Sequence, residues 1–163
     1  MAAPYLIEDL HGRLDRDAVL RMNNASAQET SLLTLDRFNQ LIDWASVALT
    51  IPSATAFVLA FQQSDNYDGG HFLWFRFRFD RFLYIDRVVV SKQHRRHGLG
   101  RMLYAEVFKR AADMGHTRVV CEVNLMPPNP VSDRFHATLG FAEVGRATID
   151  NGAKIVRYLS ANL

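Results

Sequence analysis

Residues 82–101 read Phe82-Leu83-Tyr84-Ile85-Asp86-Arg87-Val88-Val89-Val90-Ser91-Lys92-Gln93-His94-Arg95-Arg96-His97-Gly98-Leu99-Gly100-Arg101. The mostly apolar first part, ending in three valines, predicts a buried strand over 82–90. Beyond it Leu99, Leu103, Val107 and Ala111, flanked by Met102 and Met114, form one apolar face of a helix that closes at Gly115. Gly98 and Gly100 thus fall where a loop enters a helix. Glycines there let a ligand approach the backbone, and the first N–H groups of a helix have no internal acceptor. The helix's positive end and the neighbouring arginines favour an anion at the same place, so the loop reads as a phosphate site. A Gly-x-Gly alone also describes a tight turn beside a solvated basic face. Other phosphate loops fit poorly, since no Gly-Lys-Ser/Thr is present and Leu103 stands where a dinucleotide fingerprint needs glycine.

Charge points to the same segment. The 163 residues carry 19 Lys+Arg and 17 Asp+Glu, a net of +2. Arg87, Lys92, Arg95, Arg96 and Arg101, with His94 and His97 among them and no acid, put +5 into fifteen residues and leave −3 elsewhere. A local patch of this kind argues for an anionic partner. At 48% hydrophobic and 22% charged, the chain has the makings of one domain with a real core over 1–163. No apolar run approaches the roughly 18 residues of a membrane helix. Glu8 and Asp9 replace the basic start of a signal peptide, and the single Cys121 excludes an internal disulfide or a CxxC site. The expectation is a cytoplasmic protein with no membrane partner.

Outward from the opening stretch, residues 4–10 suggest a first strand and 15–23 a short helix with Ala18, Val19 and Met22 inward. Thr34 is the expected N-cap of a second helix bearing Leu35, Phe38, Leu41, Ile42 and Ala45. Residues 46–51 and 54–61 read as a hairpin and 62–71 as a polar turn. Residues 71–81 are ambiguous, because Phe75, Phe77 and Phe79 alternate with Arg76 and Arg78. A strand over 118–123, a helix over 132–139 and strands over 141–148 and 154–159, turning at Asn151-Gly152, complete the chain. The strand-helix-strand crossover implies parallel neighbours and the last hairpin antiparallel ones, hence a mixed sheet with helices on its faces.

Val90-x-x-x-x-Arg95-x-x-Gly98-x-Gly100 on a strand-loop-helix resembles the acyl-CoA signature of the GNAT superfamily of N-acetyltransferases. Asn129-x-x-Ser132-x-x-Phe135-His136, followed by Leu139-Gly140-Phe141, is similar to that family's second signature, Asn-x-x-Ala-x-x-Leu-Tyr. The two cover about residues 82–160. Met22-Asn23-Asn24-Ala25 and residues 82–87 also resemble a bacterial branch of the superfamily. The resemblance implies an α/β fold, with a mixed, mostly antiparallel sheet of about six or seven strands flanked by about four helices. It implies acetyl-CoA, or another acyl-CoA, as cosubstrate, and no metal. The pyrophosphate would lie on Arg95, Arg96, His97, Gly98, Leu99, Gly100 and Arg101. The pantetheine arm would run along Val88, Val89 and Val90, with Asn129, Ser132 and Phe135 adjoining. Acetyl transfer would be direct, to a primary amine of a small molecule or peptide.

Direct transfer to a protonated amine needs a base, and the departing thiolate benefits from an acid. Asp86, expected by two-residue parity to share a face with Tyr84 and Val88, and Glu122, alongside Asn124, are the two candidate bases. Either instead serves structure if Asp86 pairs with an arginine such as Arg87 or Arg118 and Glu122 braces a neighbouring strand. The acid position, Tyr in the family, is His136 here, on one helical face with Ser132. Tyr84, Tyr104, Tyr158 or water are the other sources of that proton. For the acceptor, the first helices and the loop after the hairpin supply Asn23, Asn24, Asp65, Tyr67, Asp68 and Trp74. Cys121 is expected to be a buried thiol, and His94, His97 and His116 lack ligand spacing for a metal. Two rivals remain: an acyl-CoA sensor with a degenerate site, and a basic nucleic-acid module. The second fits less well, because the basic residues bracket a Gly-x-Gly on an otherwise acidic chain. A homodimer is left open.

Overall fold

A computed structural model describes residues 4–28 and 30–163 of the chain. Seven strands form one sheet: β1 Glu8–Asp9, β2 Val47–Ile51, β3 Ala56–Gln62, β4 Leu83–Val90, β5 Arg118–Met126, β6 Ala142–Ile149 and β7 Lys154–Asn162, in the order β1-β2-β3-β4-β5-β7-β6. Only β4 and β5 pair in parallel; the other neighbours are antiparallel. The helices are α1 Arg16–Ala25, α2 Leu35–Trp44, α3 Gly70–Arg76, α4 Leu99–Asp113 and α5 Pro130–Thr138, with 3₁₀ turns at Lys92–His94 and Asp150–Gly152.

The helices divide between the two faces of the sheet. Val19 and Met22 of α1, Phe38, Leu41 and Ile42 of α2, and Phe72 and Phe75 of α3 pack on Phe57, Leu59, Phe61, Tyr84, Val120 and Tyr158. On the other face Leu99, Leu103, Tyr104, Val107 and Ala111 of α4, with Phe135 and Leu139 of α5, cover Val58, Leu83, Ile85, Val119, Cys121 and Leu159. Burial of these side chains is the main force closing both layers. Local signals set the ends: the Thr34 hydroxyl accepts from the Arg37 N–H at 3.2 Å and starts α2 where expected.

Three features depart from the sequence reading. The first strand is only two residues long: Pro4 offers no N–H, Tyr5 and Leu6 are exposed, and the Leu10 N–H ends the pairing on the Ala48 carbonyl. The ambiguous segment supplies a fifth α-helix, α3, because Phe72 and Phe75 are fully buried while Phe77 is 83% exposed. Third, β4 carries a bulge at Asp86: Leu59 faces Arg87 and Ala60 faces Ile85, so Asp86 is the extra residue. The bulge reverses parity. Val88 packs with Leu83 and Ile85 on the α4 side, not with Tyr84, so the expected shared face of Tyr84, Asp86 and Val88 is broken.

Candidate active site

β4 and β5 touch only at Leu83 opposite Val119 and Tyr84 opposite Val120. Beyond that point they part. From Ile85 to Val90 the main chain of β4 faces β3 on one edge and an opening on the other. At the top of the opening the loop into α4 turns with Arg96 at φ 66° and Gly98 at φ 75°, and Gly98 caps the helix without any side-chain bond. Left-handed residues at alternate positions suit an anion-binding nest of backbone N–H groups, here continuous with the free N–H groups of the first turn of α4. His94 Nδ1 lies 2.6 Å from Ser91 Oγ, and His97 Nδ1–H donates to the His94 carbonyl at 3.1 Å. These bonds fix the loop from within. Arg101 donates to Thr138 Oγ1 at 2.9 Å and ties the start of α4 to the end of α5. Together, an unpaired strand edge and a nest at its end suit an extended chain that carries a pyrophosphate. Arg95, Arg96, His97, Gly98, Leu99, Gly100 and Arg101 would hold the phosphates, and Val88, Val89 and Val90 the arm.

On the opposite face of the opening lie the carboxylates. Glu122 alternates with Cys121 and Val123, which pack toward α4, and so faces the α1–α3 side, where Tyr84 O–H donates to its Oε2 at 2.8 Å. Burial pushes the Glu122 carboxyl up to about 8, and the nearby Asp86 charge pushes the same way against the Tyr84 bond. Asp86 is held on both sides. Tyr67 O–H donates to Oδ1 at 2.6 Å and Arg87 Nε–H to Oδ2 at 2.7 Å, with the Asp86 and Arg87 side chains only 7% and 8% exposed. Arg87 continues to Asn23 Oδ1 at 3.1 Å. Burial and the Asp86 charge raise the Tyr67 phenol well above its ordinary range, so it stays a donor. Across the β5–β7 ladder, Tyr158 is the register partner of Glu122, and its hydroxyl lies 3.0 Å from His71 Nδ1. Burial lowers the His71 pKa and keeps the ring neutral. The site is therefore a high-pKa carboxyl ringed by phenols, with a second carboxylate locked behind it.

The acetyltransferase (GNAT) family model matches residues 33–141. The chain belongs to that family. Among curated proteins none matches it by sequence. Its fold resembles several solved structures. Naa20 of Chaetomium thermophilum, in complex with a bisubstrate analogue, is 15% identical at a TM-score of 0.75, over 97% of this chain and 86% of that one. The ribosomal-protein-alanine N-acetyltransferase of Brucella melitensis is 18% identical at 0.70, over 97% and 99%. The Salmonella typhimurium protein yncA, solved with its cofactor acetyl-CoA, is 17% identical at 0.72, over 99% and 95%. These likenesses establish the GNAT fold, seven strands and five helices in a mostly antiparallel mixed sheet.

Within that GNAT frame the remaining sequence candidates have particular surroundings. Asn129 caps α5 by accepting from the Ser132 N–H at 3.2 Å, and Phe135 stands edge-on to Tyr104. His136 does not face the carboxylates. Its Nδ1 lies 2.8 Å from the Ser132 carbonyl and its Nε2 2.8 Å from Tyr104 O–H, within the layer under α4 and α5. Both ring nitrogens are thus occupied, and burial lowers the ring's pKa. That arrangement joins two helices; a proton donor to sulfur would need one nitrogen released. Of the acceptor candidates, Tyr67 reaches the site, through Asp86. Asn23 is buried against Arg87, and Asn24 braces the Leu33 backbone. Asp65 accepts from the Ser46 N–H, the Ser46 hydroxyl and the Gln62 N–H. Asp68 pairs with Arg37, and Trp74 stacks on Tyr158 at 4.0 Å. These five hold the walls: their polar atoms or ring faces are already taken by the protein. The sequence offers Tyr84 and Tyr158 only as alternative proton sources and does not single out His71; the β5–β7 pairing and the packing of α3 bring all three to Glu122.

Among the described residues no three His, Cys, Asp or Glu side chains come together as metal ligands, and no helix is long and apolar enough to cross a membrane.

Proposed function

We propose that the protein is an acetyl-CoA-dependent N-acetyltransferase that moves the acetyl group directly to a primary amine of a small molecule or peptide, working as one domain in the cytoplasm. The observation that carries this reading is Glu122: a carboxyl poised near pH 8 beside the gap between β4 and β5, on the face opposite the phosphate nest. When bound, acetyl-CoA supplies a thioester, whose carbon gains the C–N bond as the C–S bond breaks and the thiolate leaves to take up a proton. Glu122 takes the proton that frees the amine lone pair, directly or through water. Tyr84 orients that carboxyl. Asp86, locked by Tyr67 and Arg87, acts on Glu122 by its charge and is the weaker candidate for the base. The nest from Arg95 to Arg101 anchors the cosubstrate at its pyrophosphate.

The test is release of CoA thiol from acetyl-CoA with a panel of amines, amino acids and peptide N-termini. Turnover that falls with Glu122→Gln supports the proposal, and loss of the same activity in Asp86→Asn alone would move the base to Asp86. The occupied nitrogens of His136 favour a second reading, an acyl-CoA sensor. Tight CoA binding without turnover on any member of the panel would establish it.

A further inference from the structure

Lys154 opens β7 and lies on the same face as Glu122. Its register partner Ile149, and Val156 and Tyr158 at alternate positions beyond it, all pack toward α1–α3. Tyr158 in turn pairs with Glu122. Lys154 therefore stands four residues outward from Glu122 along one row, about 13 Å by backbone. Its positive charge is felt at Glu122 and at His71, whose pKa values it pulls down. Among the described residues every other partly buried cation has a partner. Arg13, Arg16, Arg37, Arg110 and Arg157 have ion pairs, Arg87 has Asp86, and Arg118 lies over Phe79. Lys154 is the exception: partly buried, with no side-chain hydrogen bond, ion pair or ring contact among the described residues.

A lysine side chain on this face with no counter-ion leaves its ammonium available to a substrate anion. We infer that Lys154 recognises a carboxylate on the acceptor, so that the acceptor is an amino acid whose amine points to Glu122 and whose carboxylate points to Lys154. The inference rests on the acetyltransferase reading and narrows its substrate class. The polarity follows from the row itself: the carboxyl that accepts a proton lies at the inner end beside the strand opening, and the fixed cation lies at the outer end. An amine with no anionic group leaves Lys154 unpaired; one with a carboxylate a few bonds from its nitrogen engages both ends.

The experiment compares each of the common amino acids with its own carboxamide in the thiol-release assay, for wild type, Lys154→Met and Lys154→Arg. Wild type is expected to prefer acid over amide. Lys154→Met should raise KM for the acid roughly 10- to 100-fold more than KM for the amide, the worth of a charged hydrogen bond, on top of a shift of the Glu122 pH limb common to both. Lys154→Arg should keep the preference. Equal losses for acid and amide, or no wild-type preference between them, would overturn the inference and leave the acetyltransferase reading standing. Absence of turnover with every amine would overturn both. A shift of the acid and amide pH profiles together, with no difference between them in KM, would show Lys154 acting only through Glu122 and would overturn the recognition role.

Discussion

A carboxyl group among phenols, with a second carboxylate behind it, keeps its proton to a higher pH than one in water, and at Glu122 burial contributes more to this than charge does. Two consequences share that cause. As the proposed base, Glu122 acts only once deprotonated, so kcat/KM should climb with pH through about 8. Glu122→Gln should lose roughly 10²-fold or more and flatten that limb. Stability moves the other way. The folded carboxyl binds its proton up to about pH 8 and the unfolded one only to about 4.5, so the folded state holds more protons between those values. Wild type therefore loses stability as pH rises across that window and levels off above it. Glu122→Gln has no such loss, so its melting temperature relative to wild type should rise from pH 4.5 to 8. A difference that stays constant with pH would show that Glu122 is not held protonated.

At the scale of elements, the loop into α4 was legible because everything it needs is contiguous: a strand, two glycines and an amphipathic helix. The two glycines serve different ends, which substitution separates. Gly98 has φ 75° with open space where a Cβ would sit, so Gly98→Ala meets backbone strain alone, about 1–2 kcal/mol. Relief of that strain would turn the N–H groups away from the nest, so stability and CoA affinity should fall together. Gly100 is already helical, and its Cβ would make an ordinary 3.6 Å contact with Phe135. Alanine there should raise stability by up to about 1 kcal/mol. On the proposed CoA site, with the cosubstrate lying against this turn, the same methyl should weaken CoA binding. Calorimetric titration with CoA beside thermal melts distinguishes the two; Gly100→Ala that binds normally would remove close approach from the account. What was not legible is set by distant pairing. Period two over Phe75, Phe77 and Phe79 hid α3, whose burial depends on Tyr84, Phe82 and Tyr158. The bulge at Asp86 arises from register with Leu59 and Ala60, which no reading of 82–90 alone contains. Asn23, Asn24, Asp65 and Asp68 looked like free polar groups because their partners lie elsewhere in the chain.

On the whole molecule, the proposed reaction places its two reactants on opposite faces of the sheet. The phosphate nest belongs to the α4 and α5 side, Glu122 and Lys154 to the α1–α3 side, and only the gap between β4 and β5 joins them. Such a layout favours both substrates present together, with no residue carrying the acetyl group between them. The nearest thiol agrees: Cys121 adjoins Glu122 in sequence but faces α4, and burial pushes its pKa well above the ordinary range, so the thiolate needed for attack is disfavoured. Initial rates over a grid of acetyl-CoA and acceptor concentrations should therefore give intersecting double-reciprocal lines. Cys121→Ala should leave that pattern intact and change kcat by less than about tenfold, the remaining loss coming from a small cavity under α4. Parallel lines, together with a radiolabelled acetyl group retained on wild type and not on Cys121→Ala, would show covalent carriage and overturn direct transfer. The basic loop fits the sequential scheme as well: with Arg87 paired to Asp86, the charge that remains in the segment is that of Lys92, Arg95, Arg96 and Arg101, beside the loop into α4.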